Sequence, residues 1–193
     1  MHLSDYTLDS LPGDYKKVQI DFNISILNSS LFTHHSLYYF YPMEKPKIVE
    51  NTITIHAPMD RVWDALVNPD LTAIYMYGCR TRSDWKPDSQ LLWEGQYEGK
   101  DMVFVKGYIK EIDAPTLLVY TVFDPNSTME DVPENYLNVT YRLKEENGQT
   151  TLTVTQDGFE TAARGEERYV EVYNNGVGWN PILRAIADLV EKA

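Results

Sequence analysis

The chain has 193 residues, of which 43% are hydrophobic and 24% charged, and its formal net charge is −12. This balance is that of a globular protein with one sizeable core, or with one domain and an appendage. The negative charge argues against nucleic acid and anionic membrane surfaces as partners, because both select clustered Lys and Arg. No apolar run approaches the roughly 20 residues of a membrane span. The single cysteine, Cys79, excludes an internal disulfide and favours a reducing cytoplasm, where we expect the protein.

Residues 1–46 differ from the rest of the chain, since they are rich in Ser, Asn, Tyr and Leu. Only residues 16–27 have a regular pattern, an alternation of apolar and polar residues that predicts a half-buried strand. The run Met-Glu-Lys-Pro-Lys at 43–47 is a polar lead-in typical of a bacterial N-terminus. We therefore expect Met43 to be the native start and residues 1–42 to be a mis-called or appended extension. Residues 1–46 as a whole are treated as an N-terminal extension, doubtful or disordered. The alternative is an authentic accessory strand that pairs with a sheet edge.

Residues 47–193 form the predicted domain, and most of the segment 47–159 has strand patterns. A first strand over 49–55 precedes a short helix that begins at Pro58 and ends at Asn68, and 71–77 forms a second short helix or turn. Strands are then predicted over 79–83, 90–95, 102–112, 117–123, 136–144 and 150–156, the last two joined by an Asn147–Gly148 hairpin turn. The alternation of apolar and polar residues along these strands predicts an antiparallel sheet with one apolar face and one solvent-exposed face. The acidic loop 124–135 is interpreted as a solvated flap, with a gate to a cavity as the alternative.

Residues 166–192 carry the only long helical pattern, with an apolar stripe that includes Tyr169, Tyr173, Leu183, Ile186 and Val190. Because Pro181 cannot donate to a helical carbonyl, we expect one long kinked helix, or alternatively two abutting helices. The stripe must pack on the apolar face of the sheet. The predicted fold class is therefore α+β: a curved antiparallel sheet of six or seven strands around a long C-terminal helix, with two short helices after the first strand.

Four segments, 53–66, 85–95, 106–121 and the Gly178–Trp179 pair with Leu183 after it, occur in the order found in a known family. The chain resembles the activators of heat-shock-protein-90 ATPase and their bacterial relatives. These belong to the helix-grip superfamily of START domains, the birch pollen allergen and polyketide cyclases. The resemblance covers about 47–193 and implies the helix-grip fold, with a cavity between sheet and helix. Val122 stands where many relatives have Trp, which would enlarge that cavity.

Catalytic and metal-binding residues are not apparent. The family has no universal catalytic residues, so none is assigned here. The histidines, at 2, 34, 35 and 56, lack metal-ligand spacing, and nothing in the sequence supplies a base for Cys79. We expect no cofactor and no metal.

Aromatic side chains are the stronger signal, since aromatic walls with a few hydroxyl groups suit a flat apolar ligand. On the helix, Trp179 and Leu183 are expected to form one wall, and Tyr120 and Tyr141 part of the other. The full set of cavity candidates is Tyr75, Trp93, Val105, Ile109, Tyr120, Val122, Val139, Tyr141, Trp179 and Leu183.

Three functional hypotheses follow. The favoured one is a non-catalytic module that binds a small hydrophobic molecule. The second is a co-chaperone or stress-response interaction domain, with a chaperone as partner, as the resemblance implies. The third is a polyketide cyclase-like enzyme, which would need ionisable groups converging in the cavity. We expect a monomer or weak dimer with neither nucleic acid nor membrane as partner.

Overall fold

The computed structural model describes the backbone of residues 15–22 and 35–42, and residues 46–192 with their side chains. The chain divides into two compact units, residues 1–45 and 46–193. In the first unit, β1 (Tyr15–Phe22) and β2 (His35–Pro42) pair as an antiparallel hairpin. The strand predicted over 16–27 thus coincides with β1 as far as Phe22, but its partner is β2, a strand that the sequence did not predict. The proposed start at Met43 lies outside the described residues.

The second unit is organised around a seven-stranded antiparallel sheet. Its strands are β3 (Val49–Ile55), β4 (Arg80–Ser83), β5 (Gln90–Tyr97), β6 (Lys100–Asp113), β7 (Leu117–Val122), β8 (Leu137–Glu146) and β9 (Gln149–Asp157). The order across the sheet is β3-β9-β8-β7-β6-β5-β4, so consecutive strands from β4 to β9 are neighbours. Register shifts at Trp93–Glu94 and between Ile109 and Glu111 mark bulges, which bend strands. The predicted curved antiparallel sheet is confirmed.

Two short helices, α1 (Met59–Val67) and α2 (Pro69–Tyr75), connect β3 to β4 as predicted. The chain turns between them at Asn68, whose side chain accepts a hydrogen bond of 3.0 Å from the backbone N–H of Asp70. Pro69 occupies the first turn of α2, where its missing N–H costs no helical hydrogen bond.

The C-terminal segment consists of two helices, α3 (Gly165–Tyr173) and α4 (Asn180–Glu191), rather than one kinked helix. The break lies before Pro181, at residues with positive φ: 43° at Asn174, 53° at Asn175 and 85° at Gly176. Asn and Gly adopt this left-handed conformation most readily, and a right-handed helix cannot continue through it. The alternative of two helices is therefore the one observed.

The main core lies between the sheet and helices α1, α2 and α4. From α4, the side chains of Leu183, Ile186 and Val190 are buried there, as the predicted stripe requires. Residues of the expected stripe before the break behave differently, since Val170 and Tyr173 are 58% and 44% exposed. Within the described residues, no helix is long and apolar enough to span a bilayer.

Candidate functional site

A cavity of about 420 Å³ opens between the inner face of the sheet and the residues that precede α4. Strands β5 to β9 form its floor, the turn after α2 forms one end, and Trp179 covers it from the helical side. Its volume falls within the range of small-molecule sites, about 300–1,000 Å³. The lining residues are Met76, Tyr77, Cys79, Trp93, Phe104, Val105, Tyr120, Val122, Val139, Gln156 and Trp179.

Six of the ten cavity candidates are brought together around this space: Trp93, Val105, Tyr120, Val122, Val139 and Trp179. The other four, Tyr75, Ile109, Tyr141 and Leu183, do not line it. They lie in the packed core with exposures of 6%, 0%, 3% and 0%. Core and cavity wall share the same apolar face of the sheet and the same helical stripe. The periodicity of apolar residues therefore identifies the inward face, but it cannot distinguish the residues that pack in the core from those that line the cavity.

Phe104 was missed because it sits at a bulge. Trp93 of β5 pairs with Val105 of β6, while the next residue, Glu94, pairs with Val103, so Phe104 is the extra residue between them. A bulge re-aims side chains out of the strict alternation. Both Phe104 and Val105 consequently line the cavity. Alternation from the sequence alone assigns neighbouring residues to opposite faces.

The turn after α2 supplies three further lining residues that sequence reasoning missed: Met76, Tyr77 and Cys79. The chain reverses there through positive φ angles of 54° at Tyr77 and 88° at Gly78. A glycine just past a helix is the usual signal for such a left-handed cap. That signal predicts the end of the helix but not the direction of the side chains around it.

Trp179 is held by two hydrogen bonds that it donates to side chains on different strands, β3 and β9. Its backbone N–H donates to Oδ1 of Asn51 at 2.8 Å, and its indole Nε1 donates to Oε1 of Gln156 at 3.1 Å. Glycine suits the preceding position, because Gly178 has a φ of 49° and a Cβ there would lie 2.3 Å from Oδ1 of Asn51, so the side chain that accepts from Trp179 would have to shift. The indole also meets the ring of Tyr141 edge-on, with centroids 6.2 Å apart. These contacts hold Trp179 as a rigid wall.

The polar groups in and behind the cavity are uncharged at neutral pH. Burial raises the pKa of Tyr141 to about 12. Burial, and then the neighbouring Tyr141, raise the pKa of Tyr120, and the two rings lie with their centroids 5.9 Å apart. Burial also raises the pKa of Cys79, which keeps it as a thiol rather than a nucleophilic thiolate. Among the described residues that line the cavity there is no Asp, Glu, Lys, Arg or His side chain.

Metal binding finds no support in the part of the chain that the structure describes. Among those residues, no group of three or more His, Cys, Asp or Glu side chains is arranged to hold an ion.

The acidic loop 124–135 lies away from this cavity and is fastened to the sheet. Lys106 of β6 forms an ion pair with Asp131, whose Oδ1 also accepts a hydrogen bond of 2.7 Å from Tyr136. The side chain of Asn135 accepts from the backbone of Ala163 at 2.7 Å. The loop borders a separate groove of about 690 Å³ that shares no lining residue with the inner cavity.

With the geometry described, comparison with known proteins places the chain. Residues 56–191 match the family described as Activator of Hsp90 ATPase homolog 1-like protein. The chain belongs to this family. The resemblance inferred from sequence motifs is thereby confirmed, and residues 1–55 lie outside the match.

Solved structures with the fold of this Activator of Hsp90 ATPase homolog 1-like chain come from several bacteria. A protein from Cytophaga hutchinsonii is 33% identical, with 75% of this chain and 94% of that chain covered and a TM-score of 0.58. A protein from Nitrosomonas europaea is 17% identical over the same shares, with a TM-score of 0.57. A protein from Arthrobacter aurescens is 12% identical, covers 77% and 88%, and has a TM-score of 0.59. The last two support the fold alone. No curated protein matches the sequence.

Proposed function

We propose that residues 47–193 form a non-catalytic module that binds a small, neutral, hydrophobic molecule in the inner cavity. The observation that carries this proposal is the cavity itself: about 420 Å³ with aromatic and aliphatic walls and no charged lining residue. Open apolar space of this size favours an occupant, because a ligand recovers the dispersion contacts that the walls otherwise lack and removes apolar surface from water. Of the ten sequence-derived candidates, we assign binding to the six that line this space.

Catalysis is disfavoured by the chemistry of the lining. A general acid or base works best with a pKa near the operating pH. Burial raises the pKa values of the Tyr120 hydroxyl and the Cys79 thiol in the lining, and that of the Tyr141 hydroxyl in the core behind it. A polyketide cyclase-like reaction would therefore have no proton shuttle among these side chains at neutral pH.

The binding proposal is tested by filling the cavity from its floor. Val122 lines the cavity on β7, whereas Val119 of the same strand does not. We expect Val122→Phe to weaken binding of fluorene, a flat uncharged probe, by at least about tenfold, or roughly 1.4 kcal/mol. Val119→Phe, the matched control, should leave the affinity unchanged. Equal affinities for both variants and the wild type, or no fluorene binding to the wild type, would contradict the proposal.

A chaperone partner is the second candidate, and the family to which the chain belongs favours it. Exposed apolar side chains on α3 could contact such a partner, since Val170 and Tyr173 are 58% and 44% exposed. The test is the ATPase rate of an Hsp90 with and without this protein. Stimulation that is lost in a Val170→Ser, Tyr173→Ser variant, but retained in Val122→Phe, would support it. An unchanged ATPase rate would remove it.

A further inference from the structure

We propose that the ligand of the inner cavity is a flat aromatic molecule that carries an uncharged hydrogen-bond acceptor, such as a ketone, and that Nε2 of Gln156 donates to this acceptor. The inference rests on the proposed binding function and specifies the chemistry of the ligand. It is carried by the orientation, burial and partners of one side chain, together with the walls around it.

The orientation of the Gln156 amide follows from its partner. The indole nitrogen of Trp179 is a donor only, so the atom that it meets at 3.1 Å must be the carbonyl oxygen of Gln156. This contact removes the usual ambiguity between the oxygen and nitrogen ends of a glutamine amide. The amino group of Gln156 therefore points away from the Trp179 nitrogen and keeps two N–H donors.

The amino group of Gln156 lacks an acceptor within the part of the chain that the structure describes. The residue is only 5% exposed, and its one side-chain hydrogen bond is the contact from Trp179. No fully inaccessible side-chain nitrogen or oxygen in the described residues is without a partner, so Nε2 must retain access to open space. Gln156 lines the inner cavity, and we infer that the cavity is the space that Nε2 reaches. A ligand that displaces water there must replace the lost acceptor or leave the N–H groups unsatisfied.

The walls define the rest of the ligand. Trp93, Phe104, Tyr120 and Trp179 present aromatic rings to the cavity, which favour contact with a flat aromatic molecule. A ligand carboxylate would lose its hydration without meeting a cation, since the lining contains none. The acceptor is therefore uncharged.

Fluorene and 9-fluorenone provide a matched pair of probes, because they share a rigid tricyclic shape and differ in one CH₂ against C=O. We expect fluorenone to bind about three- to tenfold more tightly than fluorene, the gain of one hydrogen bond in a buried site. Fluorene-9-carboxylate should bind far more weakly than either. If fluorene and fluorenone bind equally well, the proposed function survives and this inference is overturned. If neither binds, the proposed function itself fails.

The role of Gln156 is tested with Gln156→Met, which replaces the amide by an unbranched apolar side chain of the same length and so removes both the Nε2 donor and the acceptor of the Trp179 indole. We expect the ratio of fluorenone to fluorene affinity to fall from about three- to tenfold in the wild type to about one in this variant, since a general change in the wall that Gln156 supports affects both probes alike. Retention of the preference would assign the donor elsewhere and overturn the inference. A measurement on the wild type covers the case of a variant that does not fold. The side-chain NH₂ resonances of Gln156 should shift with fluorenone by more than with fluorene, and equal shifts would also overturn it.

Discussion

The indole of Trp179 donates a hydrogen bond of 3.1 Å to the side-chain oxygen of Gln156, which joins the residue before α4 to strand β9. Both side chains line the inner cavity, so the contact that fixes the helical wall also orients the polar group beside it. A second bond, from the backbone of Trp179 to Asn51 on β3, ties the same point to the edge of the sheet. The same contacts of Trp179 thus hold the wall of the cavity and attach the start of α4 to the sheet.

Trp179→Phe should lower the free energy of unfolding by about 1–2 kcal/mol, because it retains a ring beside Tyr141 but removes a partly buried hydrogen bond to Gln156. The matched control is Trp63→Phe. Trp63 is half-buried against the same core, and its indole makes no hydrogen bond to the described residues. Chemical denaturation of both variants measures the difference. A loss for Trp179→Phe no larger than that for Trp63→Phe would show that the bond to Gln156 adds no stability.

Leu183→Ala should destabilise the protein by about 2–5 kcal/mol, because a fully buried leucine leaves a void when truncated. Leu183 is 0% exposed and belongs to the main core rather than to the cavity wall. Ile74→Ala on α2, where the side chain is 64% exposed, serves as the control and should change stability by less than about 0.5 kcal/mol. Equilibrium denaturation gives both values. A small effect for Leu183 would place it beside open space instead.

The contacts of Asp131 with Lys106 and Tyr136 predict that the stability of the protein depends on pH. Hydrogen bonds from Lys106 and then Tyr136 lower the pKa of Asp131 in the folded protein. A depressed carboxyl pKa contributes stability above the unfolded value, about 3.9, and this contribution is lost as the pH falls through the folded value. We expect Asp131→Asn to have a lower melting temperature than the wild type at pH 6, with the gap closing below about pH 3.9. A gap that is constant from pH 6 to pH 2 would contradict the assignment.

The sheet was predictable because its strands alternate cleanly and its turns carry strong signals. Leu152 and Val154 on β9 face the core as their alternation required, and the Asn147–Gly148 turn joins β8 to β9. The break between α3 and α4 was less accessible. Pro181 suggested the region, but the break depends on positive φ angles at Asn174 and Asn175, which the sequence permits without requiring. Strand β2 of the hairpin was not predicted, because its sequence does not alternate between apolar and polar residues.

The sequence predicts which face of the sheet carries the candidate site, but it does not predict the shape of the cavity. Alternation places Gln156 on the inward face with Leu152 and Val154, so its position could have been found from the sequence. Its bond to Trp179 joins residues 23 positions apart and could not. Phe104 lines the cavity because it sits at a bulge. Leu183 does not line it, because the packing of α4 buries its side chain in the core. Such details depend on tertiary register, which local patterns do not encode.

Ligand binding in the inner cavity is tested most directly by an NMR titration of the four tryptophan indole N–H signals with fluorene. Trp93 and Trp179 line the cavity, whereas Trp63 and Trp85 do not, so each spectrum contains its own control. We predict saturable shifts of the Trp93 and Trp179 signals, with those of Trp63 and Trp85 unchanged. Saturable shifts confined to Trp63 and Trp85, or no shift at any tryptophan up to the solubility of the probe, would contradict the account.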